Sequence, residues 1–267
     1  MKTRFGWVRW IAGVLLLLIV IGLGMREWQT NKVVGHSDYR FNLAMIVPDT
    51  GVSFVSIDPS EKSILALPFP TDLAIKSRGS GEYGVSSLYK LGSYTGEGGK
   101  FARQKIQGFM RVPVPGYLVA YGKQRTAKGV LRASLLKAIF AKSETNLSYF
   151  DTWLLLERVS RYRWREIGQD ELVRAGVIED NTYHAERLQE YVGSRLFDWG
   201  IGESQVSVAI VNASGENGLG SDMADFLTNL GMDVVMVRSV NNSELLEHSE
   251  WQTETREEAD ELGYIFA

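Results

Sequence analysis

The run WVRWIAGVLLLLIVIGLGM, from Trp7 to Met25, constrains this chain more than any other stretch. Its only charge is Arg9, and its length is close to the roughly 20 residues that cross the hydrocarbon of a bilayer. It reads as a single membrane span. Lys2, Arg4 and Arg9 precede the apolar core, and Trp7 and Trp10 suit the interface, so the positive-inside rule puts the N-terminus in the cytoplasm and the rest outside. A cleaved signal peptide is the competing reading, although no clear A-x-A site follows Leu23.

Beyond the span, the chain of 267 residues is 45% hydrophobic and 23% charged, which fits one or two small folded domains. A formal net charge of −3 gives no basic field, so nucleic acid is not an expected partner. With no cysteine there is no disulfide framework, thiolate metal site or cysteine nucleophile.

After a polar stalk from Arg26 to Asp38, FNLAMIV (Phe41 to Val47), VSFVSID (Val52 to Asp58) and SILALPF (Ser63 to Phe69) read as strands of a meander. GEYGVSSLYKLG and KFARQKIQGFMRV each read as a short helix, and GYLVAYG (Gly116 to Gly122) as a strand. KGVLRASLLKAIFAK (Lys128 to Lys142) has helical spacing, and NLSYFDTWLLLERVSRY (Asn146 to Tyr162) a second stripe of Trp153, Leu156 and Val159 that puts the tryptophan in the core. EDNTYHAERLQEYVGSRLFDWG, capped by Asp180 or Asn181, presents Leu188, Val192 and Leu196 as a linker helix.

From Gln205 the pattern sharpens. Val206, Val208 and Ile210 alternate as in a strand, then Leu219, Met223, Phe226, Leu227 and Leu230 recur at helical intervals; Gly231 ends the helix and DVVMVRSV follows as a second strand. This is a β-α-β unit with parallel strands. Its glycines, Gly215, Gly218 and Gly220, run G-x-x-G-x-G, the wrong order for a dinucleotide site, and no G-K-S/T ending makes a phosphate loop. A tight turn is the simplest account, although amides at the helix start can still draw an anion.

These residues, VSVAIVNASGENGLGSDMADFLTNLGMDVVMV, resemble the C-terminal domain found on LytR-CpsA-Psr proteins. Asn212, Ser214, Gly215, Gly218, Leu219 and Gly231 match its pattern, while Ala213 and Gly220 stand where Gly and Ala are usual. The resemblance marks Asn212, Ser214, Gly215, Gly218 and Leu219 as candidate binding residues that also serve as a turn. It extends upstream to that family's catalytic domain, which moves undecaprenyl-pyrophosphate-linked glycopolymers onto peptidoglycan. The strands with the turn IDPSEK resemble its opening, YGVSSLYKLG its next helix, and KGVLRASLLKAIFAKSETNLSYFD its final helix with the Thr-Asn-Leu-Ser after it.

Departures from that pattern carry more weight. In PFPTD, Phe69 stands where the family has an arginine and Asp72 is a displaced acid; the arginine-rich middle segment has shrunk to GYLVAYGKQRTAKGVL, leaving Gln124 and Arg125. Pyrophosphate chemistry needs converging arginines and a carboxylate-held divalent ion. Asp49, Asp72, Arg78, Arg103 and Arg125 are scattered and read as solvated surface, so Asp72 and Arg125 are only weak catalytic candidates. His36, His184 and His248 form no metal motif, and no G-x-S-x-G elbow occurs. SRGSGEYG (Ser77 to Gly84) and SYTGEGGK (Ser93 to Lys100) read as flexible loops.

The expected organisation is α/β throughout: cytoplasmic N-terminus, transmembrane helix and stalk over 1–38, a shortened LytR-CpsA-Psr-like domain over 39–162, a helical linker over 163–204 and a small β-α-β module over 205–267. The expected function is non-catalytic binding or positioning at the cell wall or envelope glycopolymers, with the membrane, peptidoglycan or envelope polysaccharide, and a complete family member as partners. No cofactor or metal is expected. The alternative is an active ligase or phosphotransferase of the family, and magnesium enters only there.

Overall fold

The computed structural model describes residues 40–48, 50–71, 73–77, 81–121, 126–179, 182–196 and 207–240, with single positions at 13–14, 22, 246 and 252. The expected membrane span therefore lies almost wholly outside the described residues, among which no helix is long and apolar enough to cross a membrane.

Five strands form the central sheet: β1 (Phe41–Val47), β2 (Gly51–Asp58), β3 (Ser63–Pro68), β6 (Gly116–Val119) and β7 (Arg163–Glu166), in the order β6-β1-β2-β3-β7. β1, β2 and β3 run antiparallel as a meander, while β6 lies parallel to β1 and β7 parallel to β3. The near-continuous apolar run of β1 suits a strand covered on both faces, and the pleat sends alternate residues to opposite cores. Ala44, Ile46, Val52, Phe54 and Leu67 enter one core; Leu43, Met45, Val55, Ile57 and Ile64 enter the other.

Helices cover both faces. The first core is closed by α2 (Gly98–Met110), α5 (Gln169–Arg174) and α6 (Ala185–Leu196), through Ala102, Ile106, Phe109, Leu172, Leu188 and Val192. The second is closed by α3 (Ala127–Phe140) and α4 (Tyr149–Arg161), through Leu131, Leu135, Leu155 and Val159. Phe41 is fully buried, and such an aromatic contributes about 2–3 kcal/mol relative to exposure. The arrangement is a helix/sheet/helix sandwich, of the α/β class expected.

Three expectations change. GEYG is strand β5 (Gly81–Gly84), paired with β4 (Ala74–Ser77), and the helix α1 begins only at Leu88, ending at Ser93. The supposed helical linker opens with β7, a short charged edge strand with three of four residues exposed, which leaves no hydrophobic period to read; β8 (Ile178–Glu179) and β9 (Thr182–Tyr183) precede α6. Trp153 is 53% exposed, because α4 turns Asp151, Thr152, Leu155, Arg158 and Val159 inward. Position 153 is two residues from 155 and so lies on the far side of the helix.

The C-terminal unit is the β-α-β expected: β10 (Ser207–Asn212), α7 (Leu219–Asn229) and β11 (Asp233–Ser239), strands parallel, with Gly231 at φ 96° ending the helix. Its small core gathers Leu227, Leu230 and Met232 with Val208, Ile210, Phe226 and Val234.

Candidate functional site

The position where an arginine is expected from the resemblance is a core position. Phe69 is 6% exposed, its ring meets Phe109 edge-on at 5.9 Å, and its amide donates to the Val52 carbonyl at 3.0 Å. An adjoining cavity of about 280 Å³ is lined by Phe69, Pro70, Glu166, Gln169, Leu172 and Tyr183 among others, with Glu166 the one charged residue among its described lining. Asp49, Asp72, Arg78, Gln124 and Arg125 lie outside the described residues.

Arg103 is not solvated surface. Its Nη1 donates to the Val114 carbonyl at 3.0 Å, and burial lowers its pKa. It ties the loop before β6 to α2. Asp58, in the IDPSEK turn, accepts from the Glu61 amide at 2.9 Å and pairs with Arg40, closing one end of the sheet.

A polar cluster that sequence reasoning missed sits at the start of α2. SYTGEGGK is not a free loop, since Gly98, Gly99 and Lys100 open this helix. Helix starts leave amides unpaired and partly positive, which makes them anion sites. Here Glu144 supplies the anion: its Oε1 accepts from the Gly99 amide at 2.8 Å and its Oε2 from the Tyr89 hydroxyl at 2.7 Å. A Cβ on Gly99 would stand 2.2 Å from the Tyr117 ring, so only glycine permits this approach.

The Tyr89 hydroxyl is 3.4 Å from that of Tyr121. The Tyr121 contact, burial and Glu144 together push the Tyr89 pKa above the usual phenol range. Tyr117 is also raised, first by burial and then by Glu144.

Glu144 is held in place by its neighbours. The Val119 amide donates to the Glu144 carbonyl at 2.9 Å; Asn146 accepts from the Tyr117 amide at 2.8 Å and donates to the Pro115 carbonyl at 2.7 Å. Ser148 then caps α4, accepting from the Asp151 amide at 3.0 Å and donating to its carboxylate at 2.9 Å. The Thr-Asn-Leu-Ser stretch is thus a clasp on the β6 edge followed by a helix cap.

The C-terminal loop closes on itself. Asn212 donates to the Glu216 carbonyl at 2.7 Å and accepts from the Ser214 amide at 3.1 Å and hydroxyl at 2.7 Å; the same hydroxyl accepts from the Glu216 amide at 3.1 Å. Gly215 (φ 76°) and Gly218 (φ 82°) take the left-handed backbone the turn needs, and Leu219, 37% exposed, starts α7. A Cβ on Gly220 would meet Val237 Cγ1 at 3.0 Å.

Arg111, the left-handed cap of α2 (φ 51°), pairs with Asp225 of α7, and its carbonyl accepts from Asn229 at 2.9 Å. No periodicity signals that contact.

Among the described residues no three Asp, Glu or His side chains converge to hold a divalent ion, and both oxygens of Glu144 already accept hydrogen bonds.

Comparison with known proteins gives one family match and several structural likenesses. The family model of the LytR cell envelope-related transcriptional attenuator matches residues 205–263. No curated protein matches the sequence. A LytR-CPS2A-psr family protein, YwtF (TagT), solved with bound octaprenyl pyrophosphate lipid, is 12% identical over 59% of this chain and 90% of its own, with a TM-score of 0.40. B. subtilis TagU is 10% identical over 59% and 96%, TM-score 0.39, and a transcriptional regulator from Enterococcus faecalis 12% identical over 62% and 90%, TM-score 0.42. At such identities and scores no residue role passes from those proteins to this one. Residues 205–263 are therefore a LytR-type C-terminal segment.

Proposed function

We propose that this chain is a membrane-anchored, extracytoplasmic envelope protein that binds or positions at the cell wall or its glycopolymers and performs no phosphoryl chemistry of its own. The observation that carries the reading is Phe69, packed into the core where the resemblance calls for a phosphate-binding arginine. Two features support it. The start of α2, where amides would receive an anion, already holds Glu144. Arg103 is committed to the Val114 carbonyl.

Wall contact is assigned to the C-terminal unit, where Asn212, Ser214, Gly215, Gly218 and Leu219 shape the loop ahead of α7. Its role is to present the exposed residues from Ser214 to Gly218 and the exposed strand residues, with the glycines shaping the turn rather than acting as ligands.

The test is co-sedimentation of the full chain, in detergent, with peptidoglycan sacculi that retain or lack their anionic polymers. Saturable retention on at least one preparation, weakened by Asn212→Ala, is expected. A chain that pellets with neither overturns the binding role, and a chain retained only with a complete family member present makes it a scaffold instead.

A further inference from the structure

We propose that the outer face of α3 docks on an anionic phospholipid surface. α3 is capped by Thr126, whose side chain accepts from the Gly129 amide at 3.2 Å, and buries Leu131, Ser134 and Leu135 against the sheet. That registration turns Arg132, Ala133, Leu136, Lys137 and Phe140 to solvent on one helical face. Phe140 is 83% exposed and Leu136 39%, so the end of the helix presents a bare aromatic and an aliphatic side chain.

Tyr121 extends the patch. It is 52% exposed, with the Lys137 ammonium 4.7 Å from its ring centre and its hydroxyl 3.4 Å from that of Tyr89. α4, which packs beside α3, also exposes Tyr149 and Trp153, at 57% and 53%.

Charge selects the partner. Over the described stretch from Thr126 to Ser143 the sequence holds Lys128, Arg132, Lys137 and Lys142 and no acidic residue, in a chain of net charge −3. A basic helix face with Phe and Leu among the cations is the composition that lies in a headgroup layer, cations on phosphates and apolar groups at the acyl boundary. A glycan platform would pair its aromatics with carboxylates or amides that bind sugar hydroxyls; the exposed α3 residues from Arg132 to Phe140 include none, and on α4 Glu157, one turn from Trp153, is paired with Arg161.

The inference rests on the membrane-anchored reading, which brings the folded part close to a bilayer. Because the chain has no cysteine, Ala133→Cys gives a single labelling site on the face and Val173→Cys, 53% exposed on α5, a control. The full chain, carrying an environment-sensitive fluorophore at either position, is placed in nanodiscs of phosphatidylcholine alone or with phosphatidylglycerol added. A blue shift at position 133 in the anionic discs alone, absent at 173, lost in the Arg132→Glu, Lys137→Glu double variant and reduced by Phe140→Ser, is expected.

Three outcomes overturn the proposal: no shift at 133 in either disc, a shift equal at both positions, or a shift that appears only when soluble poly(glycerol phosphate) is added, which makes the face a polymer site. A chain that fails to float with the discs refutes the anchor alone. The labelled chain is then added to preformed phosphatidylglycerol vesicles, where the docking face must still give a salt-sensitive shift, and its absence there overturns the proposal as well.

Discussion

At the start of α2 the Gly99 amide is taken by Glu144, a carboxylate from 45 residues along the chain, whereas at the start of α7 the loop satisfies itself through Asn212 and Ser214. Both starts are glycine-bearing, and neither has the spacing of a phosphate loop. The first is filled by the protein and walled by Tyr89 and Tyr117; the second is a surface turn whose five residues from Ser214 to Gly218 are all exposed. Glycine thus serves close packing at one site and backbone conformation at the other, and only the second leaves room for a partner.

Substituting the glycines separates these roles most strongly. In Gly99→Ala, helix propensity favours alanine by at most about 1 kcal/mol, while overpacking costs about 1–3 kcal/mol. With a Cβ 2.2 Å from the Tyr117 ring the clash wins, and denaturant unfolding is expected to show a loss of about 2 kcal/mol. Gly220→Ala meets Val237 at 3.0 Å and is expected to change stability by less than about 0.5 kcal/mol, contact and propensity nearly cancelling. Equal effects would break the comparison.

Removing the carboxylate comes next. Glu144→Ala strips acceptors from the Gly99 amide and the Tyr89 hydroxyl and is expected to cost about 1–2 kcal/mol. It also empties an anion site, so inorganic phosphate is expected to raise the melting temperature of this variant and leave the native chain unaffected. If phosphate stabilises both equally, Glu144 is not what occupies the site.

A smaller effect is expected in alkali. Tyr89 has its pKa raised in the folded chain, so the native state holds this proton more tightly than the unfolded state. Its contribution is fully present below the unfolded value of about 10 and is lost as pH climbs from there through the higher folded value. In Tyr89→Phe the alkaline limb of a stability-against-pH curve is expected to flatten; an unchanged limb assigns it to other groups.

Much of the fold was legible because it follows from local periodicity. β1 to β3 alternate between two cores, α3 and α4 carry apolar stripes, and β10, α7 and β11 change period at a glycine turn. What failed depended on tertiary context: β7 is a charged edge strand that exists by pairing with β3, and the inward face of α4 was set by Leu155 and Val159, leaving Trp153 outside. At the site, the burial of Phe69 agrees with an apolar residue replacing the expected arginine. Glu144 gave no signal, because one carboxylate in a polar stretch acquires its role only from Gly99 and Tyr89 on other elements.

The most direct measurement is phosphate release from a polyprenyl pyrophosphate by the purified full chain with magnesium. No release above the protein-free control is expected, from the native chain or from Asp72→Ala. Turnover by the native chain that Asp72→Ala abolishes would contradict it, and would place a working phosphotransferase around the residue the resemblance offers as its displaced acid.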